Sequence, residues 1–153
     1  MRVFFSILTI WSNVAFGQIT NQLKSDSSDI YVHAFRKYCE QSNNYSSDTN
    51  TIYIEQGKFY SHLLPDRVKN LEIKSLSNKD ILKACRNGRH KYITVIIPLR
   101  NKNNVFYIGI IPFKVFAKKK ILHYINEGGF NFNYSFNKET GEFAFIDYKI
   151  ETH

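Results

Sequence analysis

The chain has 153 residues, of which 43% are hydrophobic and 16% aromatic, a content that supports a buried core and excludes a disordered chain. Lysine and arginine number 21 against 13 aspartates and glutamates, so the net charge is +8 at pH 7 and favours encounters with anionic partners. Neither property identifies a fold or a reaction.

The N-terminus has the pattern of a signal peptide. One charge, Arg2, precedes an apolar run from Val3 to Trp11, which is too short to span a bilayer because a span needs about 20 apolar residues. Ala15 and Gly17 are small enough for a signal peptidase, which predicts cleavage before Gln18. The protein is therefore expected to be exported, either periplasmic or secreted. The alternative is an uncleaved N-terminal anchor, or a strand with a similar composition.

Three segments follow from this pattern. Residues 1–17 are the predicted signal peptide, 18–27 a polar flexible leader, and 28–153 a single α+β domain. After the first segment, the sequence has no apolar run long enough to cross a membrane. The mature chain is therefore predicted to have no transmembrane segment.

The first half of the domain predicts a helix and two strands. In SSDIYVHAFRKYCE, Tyr31, Ala34, Phe35, Tyr38 and Cys39 recur at helical spacing, and Ser27 or Ser28 can cap the helix start. The polar loop 41–51 leads to the strand TIYIEQ. A turn around Pro65 leads to a second strand, NLEIKSL.

The second helix has the clearest local signals. In LSNKDILKACRNG, Ser77 is the predicted N-cap and Asp80 completes a capping box, while Leu76 and Ile81 form a hydrophobic staple. Gly88 is placed to end the helix in the left-handed conformation.

Two hairpins are predicted in the C-terminal half. KYITVIIPL and VFYIGIIPFKVF are β-branched apolar runs joined by RNKNN, which predicts antiparallel pairing of 95–99 with 105–113 and burial of Ile96, Ile108 and Ile110. Pro98 and Pro112 must lie at a bulge, a strand end or an edge, since proline cannot donate to the ladder.

The second hairpin joins GGFNFNYSFN to EFAFIDYKIE through NKETG. The apolar phase changes along the returning strand, which indicates either a β-bulge near Phe145 or a strand end that is covered on both faces. Between the hairpins, KKKILHYINEGG is expected to be a loop or short turn. The predicted fold is a twisted antiparallel sheet of about five to six strands packed against one or two helices, with a cystatin-like or NTF2-like layout as one version.

A resemblance rests on the signal segment, on IIPF followed by KVFAKKK, and on GGFNFNYSFN and EFAF. Together these resemble small exported bacterial proteins of unknown function, over roughly residues 90–150. The resemblance implies an envelope or secreted location, and it implies no activity, cofactor or catalytic residue.

Motifs for catalysis and for cofactor binding are missing from the sequence. The five histidines have none of the spacings that metal sites use, and the sequence has no nucleophile elbow, phosphate-binding loop or dinucleotide fingerprint. We therefore predict no catalytic, cofactor or metal residues. The expected protein is a non-enzymatic binding protein. The alternative is a small enzyme, or a cone-shaped ligand-binding domain, whose site is assembled from dispersed residues.

The two cysteines, Cys39 and Cys85, both fall on the apolar faces of the predicted helices. In an oxidising compartment they can form a disulfide, provided that their Cα atoms lie within about 7 Å. The alternative is a pair of buried free thiols.

A basic cluster is the candidate binding site. One part lies on the second helix and at its exit, and the other follows the first hairpin: Lys79, Lys83, Arg86, Arg89, His90 and Lys91, then Lys118, Lys119 and Lys120. These residues either form an anion-binding patch or only complement the helix dipole and block a sheet edge. The partner would be an acidic protein or an anionic envelope component, since export disfavours nucleic acid.

Overall fold

The structure is a computed structural model, and it describes residues 29–42, 50–57 and 60–152. The predicted signal peptide 1–17, the leader 18–27 and most of the predicted loop 41–51 lie outside these residues.

Two helices and eight strands are present in the described part of the chain. The helices are α1 (Ile30–Ser42) and α2 (Asn78–Ala84). The strands are β1 (Thr51–Glu55), β2 (Arg67–Val68), β3 (Leu71–Leu76), β4 (His90–Lys102), β5 (Val105–Lys118), β6 (Ile121–Asn126), β7 (Gly129–Asn137) and β8 (Glu142–Glu151).

All eight described strands belong to one mixed sheet of order β2-β3-β1-β4-β5-β7-β8, with β6 paired to β5. The α+β class is confirmed, but the prediction of an antiparallel sheet of five to six strands is wrong. β1 runs parallel to both β3 and β4, while the remaining pairs are antiparallel. Parallel pairing joins strands that are distant in sequence, so the hairpin patterns did not indicate it.

The first hairpin forms as predicted, with a shorter turn. β4 and β5 pair antiparallel, Ile96 lies opposite Ile110, and the turn contains only Asn103 and Asn104, both with positive φ. The side chains of Ile96, Ile108 and Ile110 are buried. The register shifts between Ile97 and Arg100, so Pro98 lies at an irregularity, as the missing proline N–H requires.

The segment predicted as a loop between the hairpins is strand β6. β6 and β7 both pair with the same side of β5, so together they form one return strand that is interrupted at Glu127 and Gly128. The interruption lies beside Pro112, which has no N–H for the ladder, and Gly128 has a φ of 108°. The proline thus divides what would otherwise be one long hairpin.

Of the two interpretations of the phase change in β8, the structure shows the β-bulge. Asn133 pairs with Asp147 and Tyr134 with Phe145, which leaves Ile146 as the extra residue. The bulge returns Phe145 and Tyr148 to the same face of the sheet, where they contact Tyr134 and Phe132 respectively.

The helices pack on opposite faces of the sheet. α1 covers Ile96, Ile108 and Ile110, whereas α2 covers Ile93 and Val115, whose side chains alternate to the other face. This arrangement differs from the predicted layout, in which one or both helices cover a single apolar face.

The helix starts follow capping rules. Asp29 caps α1, because its carboxylate accepts the backbone N–H groups of Tyr31 and Val32. The predicted caps Ser27 and Ser28 lie outside the described residues. At α2 the predicted capping box of Ser77 and Asp80 is confirmed, and its hydrogen bonds lower the pKa of Asp80.

Candidate anion-binding site

The end of α2 is fixed beside the β5–β6 hairpin by a buried cysteine. The Cys85 thiol donates to the backbone carbonyl of Val115 on β5, with an Sγ–O distance of 3.3 Å. Both side chains are fully buried, and burial raises the pKa of Cys85. The residues that follow α2 are therefore held next to the end of β5.

The β5–β6 turn brings lysines to the same place. Lys118 pairs with Ile121, so only Lys119 and Lys120 form the turn, with φ values of 50° and 64°. This tight turn places both lysines at one end of the hairpin, and both are exposed.

The helix exit and the hairpin turn line an open cavity of about 520 Å³. Its cationic lining residues are Arg86 from the helix exit and Lys119 and Lys120 from the turn. Leu82, Asn87 and Ala117 complete the lining, which contains no carboxylate. Arg86 of the first basic run thus lines the same cavity as Lys119 and Lys120, which are about thirty residues away in the sequence.

The other members of the predicted cluster, including Lys79 and His90, do not line the cavity. Lys83, Arg89 and Lys118 are exposed but do not line the cavity. Lys91 is half-buried, and its Nζ atom lies 3.5 Å from the centroid of the Tyr53 ring, a cation–π contact on the α2 face of the sheet.

The cavity can bind an anionic group on chemical grounds. A guanidinium group offers paired donors to a phosphate, sulfate or carboxylate, and ammonium groups add point charges. Each exposed ion pair contributes only about 0–1 kcal/mol, so useful affinity requires several cations on one ligand. The three cations around one cavity meet that requirement for a ligand with several negative charges.

The lining residues Leu82, Asn87 and Ala117 were not predicted from the sequence. The sequence contains one pattern that could have indicated this site: in AKKKIL, residues 117–122, three lysines separate two apolar runs. Read as a tight turn between strands, this pattern would have placed the lysines beside the end of the preceding strand.

Both cysteines are free thiols in the structure. Cys39 lies in the core under α1 and Cys85 in the core under α2, so the sheet separates them. A disulfide between these positions would require the two helices to share a face. Burial also raises the pKa of Cys39, to about 12.

A second cavity, of about 590 Å³, lies at the carboxyl ends of the parallel strands β1 and β3. Its lining includes Glu55, Ser61 and His62, the residue types that the enzyme alternative requires. However, Glu55 accepts a hydrogen bond from Tyr124 at 3.1 Å, and Ser61 accepts one from the Gly57 N–H at 2.6 Å. His62 is exposed.

Within the described ranges, no group of histidines, cysteines or carboxylates is arranged to hold a metal ion, and neither helix is long and apolar enough to cross a membrane. Comparison with protein-family profiles, curated proteins and solved structures gives no match to this chain.

Proposed function

We propose that this protein is an exported, non-enzymatic binding protein that recognises an anionic partner through the cavity between the α2 exit and the β5–β6 turn. The observation that carries the proposal is the convergence of Arg86, Lys119 and Lys120 on one cavity without a carboxylate. The partner is an acidic protein or an anionic component of the cell envelope. The N-terminal pattern supports export, and the net charge of +8 supports the sign of the partner.

The geometry favours recognition over non-specific attraction. On a uniformly basic surface every exposed cation would contribute about equally to the binding free energy. If the anion binds in the cavity, the cations that line the cavity contribute more than the others. Arg86 and Arg89 are both exposed and lie three residues apart, but only Arg86 lines the cavity. Comparing them therefore measures how much more a cation contributes to binding inside the cavity than outside it.

The test compares Arg86→Glu with Arg89→Glu as a matched control that makes the same change in charge. Binding is measured against a sulfated polysaccharide, anionic phospholipid vesicles and an acidic polypeptide, at low and at high salt. We expect Arg86→Glu to weaken capture at least tenfold and Arg89→Glu to weaken it only slightly. Salt should reduce capture by the unmodified protein, since the screening length is about 8 Å at physiological ionic strength.

Equal losses in the two variants would reject the cavity and leave only the general effect of net charge. Unchanged capture in the Arg86→Glu variant would also reject it. Circular dichroism checks that both variants keep the fold, which is expected because neither side chain is buried.

Export has a separate test. Mass spectrometry of the protein from its native cells should show a chain that begins at Gln18. A chain that retains Met1 or Arg2 in a cytosolic fraction would contradict export, and it would not affect the binding experiment.

A further inference from the structure

The outer edge of β8 is a long strand edge at one end of the sheet. Within the described residues, β8 pairs on one side only, with β7, through nine of its ten residues. The opposite end of the sheet is the two-residue strand β2, which follows Pro65 closely, and such short strands protect an edge from further pairing. β8 contains no proline or glycine, and residues 147–151 are regular beyond the bulge at Ile146, so this part of the backbone can accept another strand.

The face of β8 on the α1 side is apolar and accessible. Tyr148 packs against Phe132, with a ring centroid distance of 6.0 Å, and lies beyond the area that α1 covers. Ile146 and Ile150 are each 50% exposed. A strand that paired with β8 would cover this stripe.

The opposite face of β8 carries charges of opposite sign two residues apart. Asp147 accepts a hydrogen bond from Asn133 Nδ2 at 2.6 Å, which places its carboxylate on the polar face of the sheet. Lys149 follows on the same face by alternation and is also exposed. Glu151, the next residue on this face, accepts a hydrogen bond from Asn131 Nδ2 at 2.6 Å. The pair Asp147 and Lys149 is complementary to the same pair on a reversed strand.

We propose that the partner of the β8 edge is a second copy of this chain, paired antiparallel about a two-fold axis at Tyr148. The two-fold axis that relates two antiparallel copies of β8 is perpendicular to the sheet. Side chains in opposite positions of the two copies therefore lie on the same surface of the joined sheet. About this axis Asp147 faces Lys149 of the second copy twice, and Ile146 faces Ile150 twice. Two eight-stranded sheets thereby join into one, with each apolar stripe extended across the junction.

The charges select this register. A two-fold axis at Asp147 would bring two aspartates together, and one at Lys149 would bring two lysines together, and like charges in facing positions destabilise a strand pair. An axis at Ile150 would pair Lys149 with Glu151, but it would overlap only residues 149–151 of β8, because the strand ends at Glu151. Only the register centred on Tyr148 pairs Asp147 with Lys149 and also pairs Ile146 with Ile150.

The experiment measures molar mass against protein concentration by light scattering after size-exclusion chromatography. The unmodified protein should reach twice the monomer mass. Lys149→Asp places two carboxylates opposite each other at both ends and should raise the dissociation constant at least tenfold. The double variant Asp147→Lys with Lys149→Asp restores both pairs with exchanged signs and should recover the dimer. Glu142→Lys is the control on the same strand, outside the overlap, and should have little effect.

A monomer at every concentration tested would overturn the proposal. So would a dimer that tolerates Lys149→Asp, because it would use another surface.

A second measurement locates the axis: Tyr148→Cys should give a covalent dimer under mild oxidation, since facing Cβ atoms are about 4.5–5.5 Å apart. Thr140→Cys, in the β7–β8 turn, should not. Cys39 and Cys85 are at most 1% exposed and do not interfere.

Discussion

Replacing Ile108 by alanine tests the central hairpin. Ile108 is the fourth residue of β5 and lies opposite Phe132 of β7, and its side chain is completely buried under α1. Its neighbours Ile110 and Phe132 are also completely buried, so they cannot move far to fill the space. Truncating a buried isoleucine to alanine costs about 2–5 kcal/mol, and we expect the upper half of that range here.

The loss is measured as the free energy of unfolding in urea, followed by far-ultraviolet circular dichroism. Because domains of this size are stable by only about 5–15 kcal/mol, the variant should unfold at a much lower urea concentration. Ile121→Ala is the matched control: its side chain is 62% exposed on β6, so it should cost less than about 0.5 kcal/mol. A cost below about 0.5 kcal/mol for Ile108→Ala, or similar costs for both variants, would refute the assigned packing.

Three further outcomes follow from local structure. Cys39 and Cys85 should react slowly with a thiol reagent at pH 8 and rapidly in urea, because burial raises both thiol pKa values and so keeps the thiols protonated. Ser77→Ala should lower the free energy of unfolding by about 0.5–2 kcal/mol, measured in urea, because it removes the N-cap of α2. Gly141→Ala should cost about 1–2 kcal/mol for its positive φ alone, since nothing lies within 4 Å of an added Cβ. Gly128→Ala should cost more, because the added Cβ would lie 2.5 Å from a backbone oxygen; equal costs in thermal unfolding would contradict this.

The features that were predicted correctly depend on residues close together in the chain. The capping box at Ser77 and Asp80 spans three residues, and the bulge near Phe145 follows from alternation within β8. Hairpin pairing between β4 and β5 is also local, because the two runs are joined by a tight turn.

The features that were missed depend on contacts between distant segments. β6 has a weak pattern of its own: Ile121 and Ile125 are exposed, and only Leu122 and Tyr124 pack on the α2 side. It is a strand because β5 provides a paired edge, not because of its composition. The basic cavity likewise depends on the contact of Cys85 with β5, which fixes the helix exit beside the hairpin turn.

The two proposed surfaces would act together in a dimer. The basic cavity lies on the α2 side of the sheet, since α2 and Ala117 both belong to the core on that side. A two-fold axis perpendicular to the sheet keeps each face on its own side, so the cavities of both copies would open in the same direction. A surface with many anionic groups could then bind both cavities at once, and linked binding can raise apparent affinity by about 10²–10⁴-fold.

This arrangement predicts a difference between ligands that monovalent binding does not. Lys149→Asp should greatly weaken attachment to a dense anionic surface, such as vesicles rich in acidic phospholipid, but should barely change the affinity for a short sulfated oligosaccharide. Lys138→Asp is the matched control, because it makes the same charge change in the exposed β7–β8 turn without affecting the strand pair. The measurement is binding to both ligands for all three proteins at one salt concentration. Equal weakening by Lys149→Asp and Lys138→Asp on the vesicles would show that net charge, and not the pairing of two cavities, determines attachment.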